Sequence, residues 1–424
     1  MTPTSRLQGL SPTRTTLGNG LVTLAKQTRK TPIVSINLAV RAGSICDPLD
    51  MPGAASLLGR VIDRGTATRS ADEIAEEIDS RGISLAIHVT RHLVSILCTC
   101  LAEDFVPIFS LLGDAVMNAS IPEAELATRK GEVITAIRQD DDNPFVRAAE
   151  GLFQELYGTA HPYGRRVKGT VEAVEGMSRD TLVRLHRERF APSAVTAVVV
   201  GDVDASRVQD TAGAVFGSWR VAPSPAIPLP HAIPAAVRRQ VVLRMMNKSQ
   251  ADIAYGFTSI TRSDPQYYAY YLMNHVLGQY AIGGRLGDSI RERQGMAYYA
   301  GSVLEANVVE GPLFVRAGVS PANVDRAIAS IDAELTRLRA DGLTQAELND
   351  SRNYLVGSLP RSLETNAGIA SFLQTNEFFE LGLDYDVRLP ELLGRVTLDD
   401  ANAAARRAVD PARATIVIAG PYEG

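Results

Sequence analysis

The 424-residue sequence has little of what would mark a disulfide-built, membrane-spanning or nucleic-acid-binding protein. It contains three cysteines, an odd number, and a single tryptophan. Its longest apolar runs have the length of a β-strand, well short of the ~20 residues that cross a bilayer. Its net charge of −5 does not indicate the positively charged surface with which proteins bind nucleic acid. These absences leave a globular protein, long enough for two or three domains with sizeable cores.

The first twenty residues also lack the apolar segment of a secretory signal peptide. We therefore expect a cytoplasmic protein, or a periplasmic one if a signal has been removed. Cys98 and Cys100 are two residues apart in an apolar stretch that predicts a strand, so they point to the same face. Small core side chains explain them better than a metal or redox site.

Proline is concentrated in one segment, residues 221–238, where five prolines occur between Pro223 and Pro234. Such a segment favours an extended, semi-rigid conformation and cannot continue a helix or a central strand. The sequence therefore predicts a first domain of residues 1–220, a linker of residues 221–238 and a second domain of residues 239–424.

The two predicted domains resemble each other. Each has an alternating strand after a lysine, at Lys30 and at Lys248, and then a short helix, a glycine and a strand. Each closes with a helix, a proline and a β-branched strand that ends at a glycine. A repeat of this length indicates a duplicated domain. We expect an α+β fold of two homologous domains, each a mainly antiparallel sheet with helices packed on one face.

Residues 53–66, GAASLLGRVIDRGT, are predicted to form an amphipathic helix. The apolar face would consist of Leu57, Leu58, Val61 and Ile62. The polar face carries Ser56, Gly59 and Arg60, which share one side because residues three and four apart are neighbours on a helix. A glycine in the middle of a helix costs about 1 kcal/mol relative to alanine. Helix propensity therefore does not explain Gly59.

Several stretches together resemble the pitrilysin-like M16 family of zinc peptidases, and in particular its short bacterial members. The opening strand pair LGNGLVTLAKQTRKTPIVSINLAVRAGSICDP resembles the start of their first domain. The stretch AHPYGRRVKGTVEAVEGMSRDTLVRLHRERFAPSAVTAVVVGDV resembles its end, and residues 353–386 resemble the late second domain. The resemblance extends over nearly the whole chain and implies the LuxS/MPP-like metallohydrolase fold.

Catalytic members carry H-x-x-E-H on the helix that corresponds to residues 53–66. The two histidines of that motif bind zinc, and its glutamate is the general base. At these positions this sequence has Ser56 for the first histidine, Gly59 for the glutamate and Arg60 for the second histidine. The resemblance therefore implies that the metal ligands and the base have been replaced.

The third zinc ligand of the family is a downstream glutamate, at a position that corresponds to Ala136. A second family glutamate, seven residues earlier, corresponds to Arg129. A slip in this alignment would instead favour Glu132, which we otherwise interpret as a surface carboxylate. Zinc needs three ligands from histidine, cysteine and carboxylate groups. We therefore expect no metal site and no cofactor in this chain.

The family also uses an arginine and a tyrosine seven residues apart, supplied by the second domain or by a partner subunit. Arg291 and Tyr298 match this pair within IGGRLGDSIRERQGMAYYAGS. The resemblance implies that they hydrogen-bond the substrate carbonyl and the tetrahedral oxyanion. From the spacing alone, a surface arginine and a half-buried strand tyrosine are the simpler interpretation.

The resemblance as a whole implies a non-catalytic subunit of a heteromeric zinc peptidase. An H-x-x-E-H-bearing M16 partner, in a heterodimer or a dimer of heterodimers, would bind zinc, and this chain would contribute Arg291 and Tyr298 to a peptide substrate. The alternative is a scaffold subunit with no part in proteolysis. A self-sufficient enzyme is disfavoured by the residues present. The strand after Gly82 matches the edge strand on which active members lay an extended peptide.

Overall fold

The computed structural model describes residues 9–223, 225–280 and 283–423, and its strands form two sheets. The first sheet contains β1 (Thr13–Thr16), β2 (Val22–Gln27), β3 (Ile33–Val40), β4 (Ser84–Val89), β5 (Val94–Leu101) and β6 (Val195–Gly201). The second contains β7 (Arg239–Arg244), β8 (Ala251–Thr258), β9 (Ala297–Leu304), β10 (Pro312–Val319) and β11 (Thr415–Gly420).

Helices connect the strands in both halves of the chain. The first half contains α1 (Ala54–Val61), α2 (Ala71–Asp79), α3 (Phe105–Asn118), α4 (Glu123–Asp141), α5 (Pro144–Tyr157), α6 (Val171–Gly176), α7 (Arg179–Arg189) and α8 (Ala205–Phe216). The second half contains α9 (Tyr267–Gly278), α10 (Gly284–Leu286), a π-helical segment (Gly287–Glu292), α11 (Val324–Asp341), α12 (Gln345–Ser362), α13 (Asn366–Phe378), α14 (Tyr385–Arg395) and α15 (Leu398–Ala408).

The two sheets repeat one topology. Their strand orders are β1-β2-β6-β3-β5-β4 and β7-β11-β8-β10-β9, so the second sheet matches the first without β1. In each sheet one pair of strands is parallel, β2 with β6 and β7 with β11, and the other pairs are antiparallel. The expected α+β architecture with two homologous, mainly antiparallel sheets is confirmed.

One face of each sheet packs against helices from its own half of the sequence. In the first sheet, Ile36 and Val199 belong to an apolar cluster with Leu57 of α1 and Phe109 of α3. In the second sheet, Ile253 and Ile416 cluster in the same way with residues of α9, α11 and α15. Burial of these apolar side chains is the main favourable contribution to the folding of each sheet.

The opposite face of each sheet is covered by one helix from the other half of the sequence. Helix α5 packs Leu152 into an apolar cluster with Val417 of β11 in the second sheet. Helix α13 packs Leu373 into a cluster with Val198 of β6 in the first sheet. The sequence analysis did not anticipate this exchange, because an apolar helix face does not reveal which sheet it covers.

The compact units therefore do not follow the order of the sequence. Unit 1 contains residues 9–137, 166–228 and 359–387, and unit 2 contains residues 138–165, 229–358 and 388–423. The described residues of the Pro-rich segment 221–238 form neither helix nor strand. The division of the sequence at this segment stays a prediction.

Local sequence signals account for several features of the structure. Asn143 caps α5, because its side-chain oxygen accepts the Phe145 amide at 3.1 Å, and Pro144 occupies the first helical position. Cys98 and Cys100 are buried in the core of unit 1. None of the helices described is both long and apolar enough to cross a membrane.

Leu373→Ala is expected to lower the free energy of unfolding by about 2–4 kcal/mol, because it leaves a cavity against the first sheet. Native-state hydrogen exchange should accelerate in β3 and β6, although residue 373 belongs to the second half of the sequence. The matched variant Leu152→Ala should accelerate exchange in β8 and β11 instead. If hydrogen exchange in either variant accelerated instead in the sheet built from the substituted residue's own half of the sequence, the packing of α5 and α13 on the opposite sheets would be contradicted.

Candidate functional site

Helix α1 carries Ser56, Gly59 and Arg60, the positions that the resemblance aligns with the zinc-binding motif of the family. The helix begins after Gly53, which has φ of 96°, and a Cβ atom there would lie 2.4 Å from the Lys168 carbonyl oxygen. The Asp47 carboxylate accepts hydrogen bonds from the amides of Gly53 and Ala55, each at 2.7 Å. These bonds satisfy amides that the helix itself leaves unpaired. The helix ends at Val61, so it is shorter than the predicted segment 53–66.

The polar side of α1 has no room for a catalytic side chain at its centre. Ser56 is half-buried, Gly59 is buried and Arg60 is exposed. A Cβ atom on Gly59 would lie 2.5 Å from Cγ2 of Val89 in β4. Close packing of the helix on this strand therefore explains the glycine that helix propensity did not.

Helix α4 places a carboxylate beside α1, but arginines occupy its oxygens. Arg60 Nη2 donates to Glu132 Oε2 at 3.1 Å, and Arg129 donates to the other oxygen. The hydrogen bond from Arg129 lowers the pKa of Glu132, and Arg60 makes a smaller contribution in the same direction. Glu132 is thus the shared partner of two arginines rather than an isolated surface carboxylate. Ala136, one helical turn further, has no polar side chain to add.

This cluster does not fit a zinc ion. Zinc takes three protein ligands from histidine, cysteine and carboxylate groups. Here Glu132 is a single carboxylate that two permanently charged guanidinium groups already neutralise. Over the described ranges of the chain, no group of three or more His, Cys, Asp or Glu residues could hold a metal ion.

The strand after Gly82 is β4, and it lies at the edge of the first sheet. Its residues alternate between exposed and half-buried side chains. The outer backbone groups of an edge strand are available to an extended peptide. Peptide binding at β4 stays a prediction.

Arg291 lies in the π-helical segment Gly287–Glu292 of unit 2, and its side chain is 45% exposed. Its ion-pair contact is with the adjacent Glu292, where Nε and Oε1 are 3.5 Å apart. Such a contact between exposed neighbours contributes at most about 1 kcal/mol. The guanidinium group is therefore available to another partner. π-helical turns are rare and occur frequently at functional sites.

A partly buried ion pair anchors the segment that precedes Arg291. Arg285 donates from Nε and Nη2 to the two carboxylate oxygens of Glu347 in α12, each at 2.7 Å. Burial alone would raise the pKa of Glu347, but hydrogen bonds from Arg285 and Thr344 outweigh it and lower the pKa to about 2. The two hydrogen bonds of the bidentate pair fix the position of the segment, and the opposite charges of Arg285 and Glu347 compensate each other.

Tyr298 is the extra residue of a β-bulge on the edge strand β9. Ala297 pairs with Val319 and Tyr299 pairs with Gly318 of β10, which leaves Tyr298 without an opposite residue. The Tyr298 side chain is 85% exposed, so it is not the half-buried strand aromatic of the simpler interpretation. Bulges redirect side chains and are over-represented next to active sites.

Comparison with known proteins identifies the family. Residues 22–169 match the sequence profile of insulinase, peptidase family M16, and residues 176–355 match that of the peptidase M16 inactive domain. The chain belongs to the M16 peptidase family. It is 26% identical over 414 residues to an uncharacterized zinc protease of Mycobacterium leprae, which covers 96% of this chain and 92% of the relative.

Other M16 proteins are similar over comparable lengths. A probable mitochondrial-processing peptidase subunit beta of Arabidopsis thaliana is 24% identical over 406 residues, covering 92% of this chain and 74% of that protein. The crystal structure of a peptidase M16 inactive domain from Pseudomonas fluorescens has a TM-score of 0.90 at 24% identity, covering 97% of this chain and 98% of that one. A protease from Helicobacter pylori has a TM-score of 0.88 at 18% identity, covering 96% and 99%.

The resemblance aligns Ser56, Gly59 and Arg60 with the H-x-x-E-H of catalytic M16 members, and the surroundings of these residues do not fit zinc. The sequence predicted these positions only through that resemblance. It could not show that Val89 closes the central position or that Glu132 pairs with Arg60, because both contacts join residues that are distant in the chain.

Gly59→Ala is expected to destabilise the protein by about 1–3 kcal/mol, because the added methyl group overpacks the contact with Val89. In a Val89→Ala background the same substitution should stabilise the protein, since alanine has the higher helix propensity. Chemical denaturation of the four variants measures this reversal of sign. A Gly59→Ala effect of the same sign and size in both backgrounds would exclude the steric explanation.

The low pKa of Glu347 predicts a pH-dependent stability. A carboxyl whose pKa is lower in the folded state stabilises the fold above its unfolded pKa and loses that contribution as pH falls. The free energy of unfolding should therefore decline between about pH 4.5 and pH 2, and Glu347→Gln should remove this part of the decline. Urea titrations across this range, with the exposed Glu292→Gln as control, provide the measurement. Superimposable pH profiles for Glu347→Gln and the unmodified protein would contradict the assignment.

Proposed function

We propose that this M16 chain is the non-catalytic subunit of a heteromeric zinc peptidase. A partner chain bearing H-x-x-E-H supplies the metal site, and this chain binds the peptide substrate through Arg291 and Tyr298. The observation that carries the proposal is Tyr298, a bulge residue whose side chain is 85% exposed on an edge strand. The Tyr298 hydroxyl makes no hydrogen bond with the described residues of unit 2.

The chemistry of the two side chains suits peptide hydrolysis. When water adds to a peptide carbonyl, negative charge develops on the carbonyl oxygen, and hydrogen-bond donors aimed at that oxygen lower the barrier. The Tyr298 hydroxyl is a neutral donor and the Arg291 guanidinium is a charged one. Arg291 and Tyr298 together would orient the carbonyl and stabilise the tetrahedral intermediate, whereas the metal site lies in the partner.

The edge strand β9 supports the same proposal. Tyr298 interrupts the pairing of this strand with β10, and the other side of β9 has no neighbouring strand in the sheet. Backbone groups at a free edge can hydrogen-bond an extended peptide whatever its sequence. A peptide paired to β9 would pass close to Tyr298. The division of labour also agrees with a relative whose name describes a subunit.

The test is co-expression with an M16 chain that bears H-x-x-E-H, followed by hydrolysis of a fluorogenic peptide. Arg291→Ala and Tyr298→Phe should each lower kcat about 10²–10³-fold, because each removes one donor to the oxyanion. Arg293→Ala is the matched control for the arginine, since Arg293 is an exposed neighbour that pairs with Asp288 at 2.8 Å. Tyr354→Phe, at a tyrosine that is 46% exposed, is the control for the phenol.

Size-exclusion chromatography of each variant complex shows whether assembly is intact. Unchanged kcat for Arg291→Ala and Tyr298→Phe in intact complexes would reject the proposal in favour of a scaffold subunit. Stoichiometric, tightly bound zinc in this chain purified alone would reject the assignment of the metal site to the partner.

A further inference from the structure

A small cavity in unit 2 is lined by hydrogen-bond donors that the fold does not use. It has a volume of about 180 Å³ and lies between the ends of β8 and α15, a tyrosine of α9 and the Pro-rich segment. The polar residues that line it are Thr258, Ser259, Tyr270, Arg407, Asp410 and Arg413. None of them belongs to α1 or to the Arg291 and Tyr298 pair.

Three hydroxyl groups around this cavity lack protein partners. Thr258 Oγ1 and Ser259 Oγ are buried without a hydrogen bond to any part of the chain that the structure describes. Tyr270 is 3% exposed, and its hydroxyl also makes no hydrogen bond with the described residues. A buried polar group left unpaired costs about 1–3 kcal/mol. Two such groups beside one cavity, together with the unpaired Tyr270 hydroxyl, favour a polar ligand there.

Positive charge faces the same cavity. Arg413 Nε donates to the Ala235 carbonyl at 2.9 Å, and no hydrogen bond joins its Nη groups to a described residue. Arg407 Nη1 donates a hydrogen bond to the side chain of Gln266, which leaves Arg407 Nη2 to donate to a ligand. The one carboxylate of the lining, Asp410, is already paired with Arg339 at 2.6 Å. Among the described lining residues, the cavity therefore offers donors and positive charge but no unpaired carboxylate.

The protonation of Tyr270 and the charge at the end of α15 also bear on the sign of the ligand. Burial raises the pKa of Tyr270, so its hydroxyl keeps its proton at neutral pH. The C-terminal end of α15 carries the negative end of the helix dipole, which opposes an anion, but Arg407, which is in its last turn and lines the cavity, offsets that dipole. The local field at the cavity is consequently set by the arginines.

We propose that this cavity binds a small tetrahedral oxyanion, with phosphate as the ligand that fits its size and its donors. Phosphate oxygens accept hydrogen bonds from hydroxyls and from the paired N–H groups of arginine. The cavity is too small for a nucleotide, since pockets for ligands of that size have volumes of about 300–1,000 Å³. The bound anion links the Pro-rich segment, through Arg413 and Ala235, to α15 and β8. The site is independent of the proposed peptidase function.

The test is isothermal titration of the full-length chain with phosphate, at an ionic strength held constant with sodium chloride. We expect saturable 1:1 binding and an increase in Tm that saturates with it. Tyr270→Phe removes one oxygen atom and should weaken binding about 3–10-fold, and Arg407→Gln should weaken it at least 10-fold. Tyr271→Phe and Arg406→Gln, at adjacent positions outside the cavity lining, are the matched controls and should bind phosphate as the unmodified chain does.

Sulfate is the second ligand in the test, because a site that recognises charge and tetrahedral shape binds both sulfate and phosphate. Competition between sulfate and phosphate supports the proposal. Absence of saturable binding by either ion overturns it, and so does equal weakening by the cavity variants and their controls. If Arg407→Gln fails to fold, Tyr270→Phe and the titration of the unmodified chain still decide the outcome.

Discussion

The apolar second face of each sheet is the constraint on which the rest of the structure depends. Each sheet is apolar on both sides, so one layer of helices cannot keep it from water. Helices α5 and α13 each cover the second face of the sheet that the opposite half of the sequence forms. Leu152 of α5 and Leu373 of α13 belong to the apolar clusters on these faces. Because of this exchange, each compact unit contains segments from both homologous halves of the sequence.

Helix α1 contributes to the fold independently of any chemistry on its polar side. Its apolar side chains are fully buried, so the helix contributes to the core whatever its polar side carries. On the polar side, Gly59 allows close contact with β4, and Arg60 reaches Glu132 in α4. The exposed ion pair contributes about 0–1 kcal/mol. Packing on the apolar side, not charge, therefore keeps the helix in place.

Around Arg291 and Tyr298 in unit 2, by contrast with α1, the candidate side chains are exposed and neighbouring residues hold the backbone in place. Here the supporting contacts are strong: the bidentate pair of Arg285 with Glu347 anchors the segment, and β10 holds the strand. The two side chains themselves are exposed and add little to the fold. A rigid frame that presents unused donors at a sheet edge is suited to a substrate, and the same frame would serve a partner that holds the metal.

Much of this protein is determined by its sequence. Hydrophobic periodicity and the duplicated pattern are local signals, and they predicted the α+β class and the two sheets. The positions of Ser56, Gly59, Arg60, Arg291 and Tyr298 were predicted only through the resemblance to the M16 family. Only the tertiary structure decided which helix covers which sheet, why residue 59 is glycine and where Glu132 points. Those features depend on contacts between residues that are far apart in the chain, and local periodicity carries no information about such contacts.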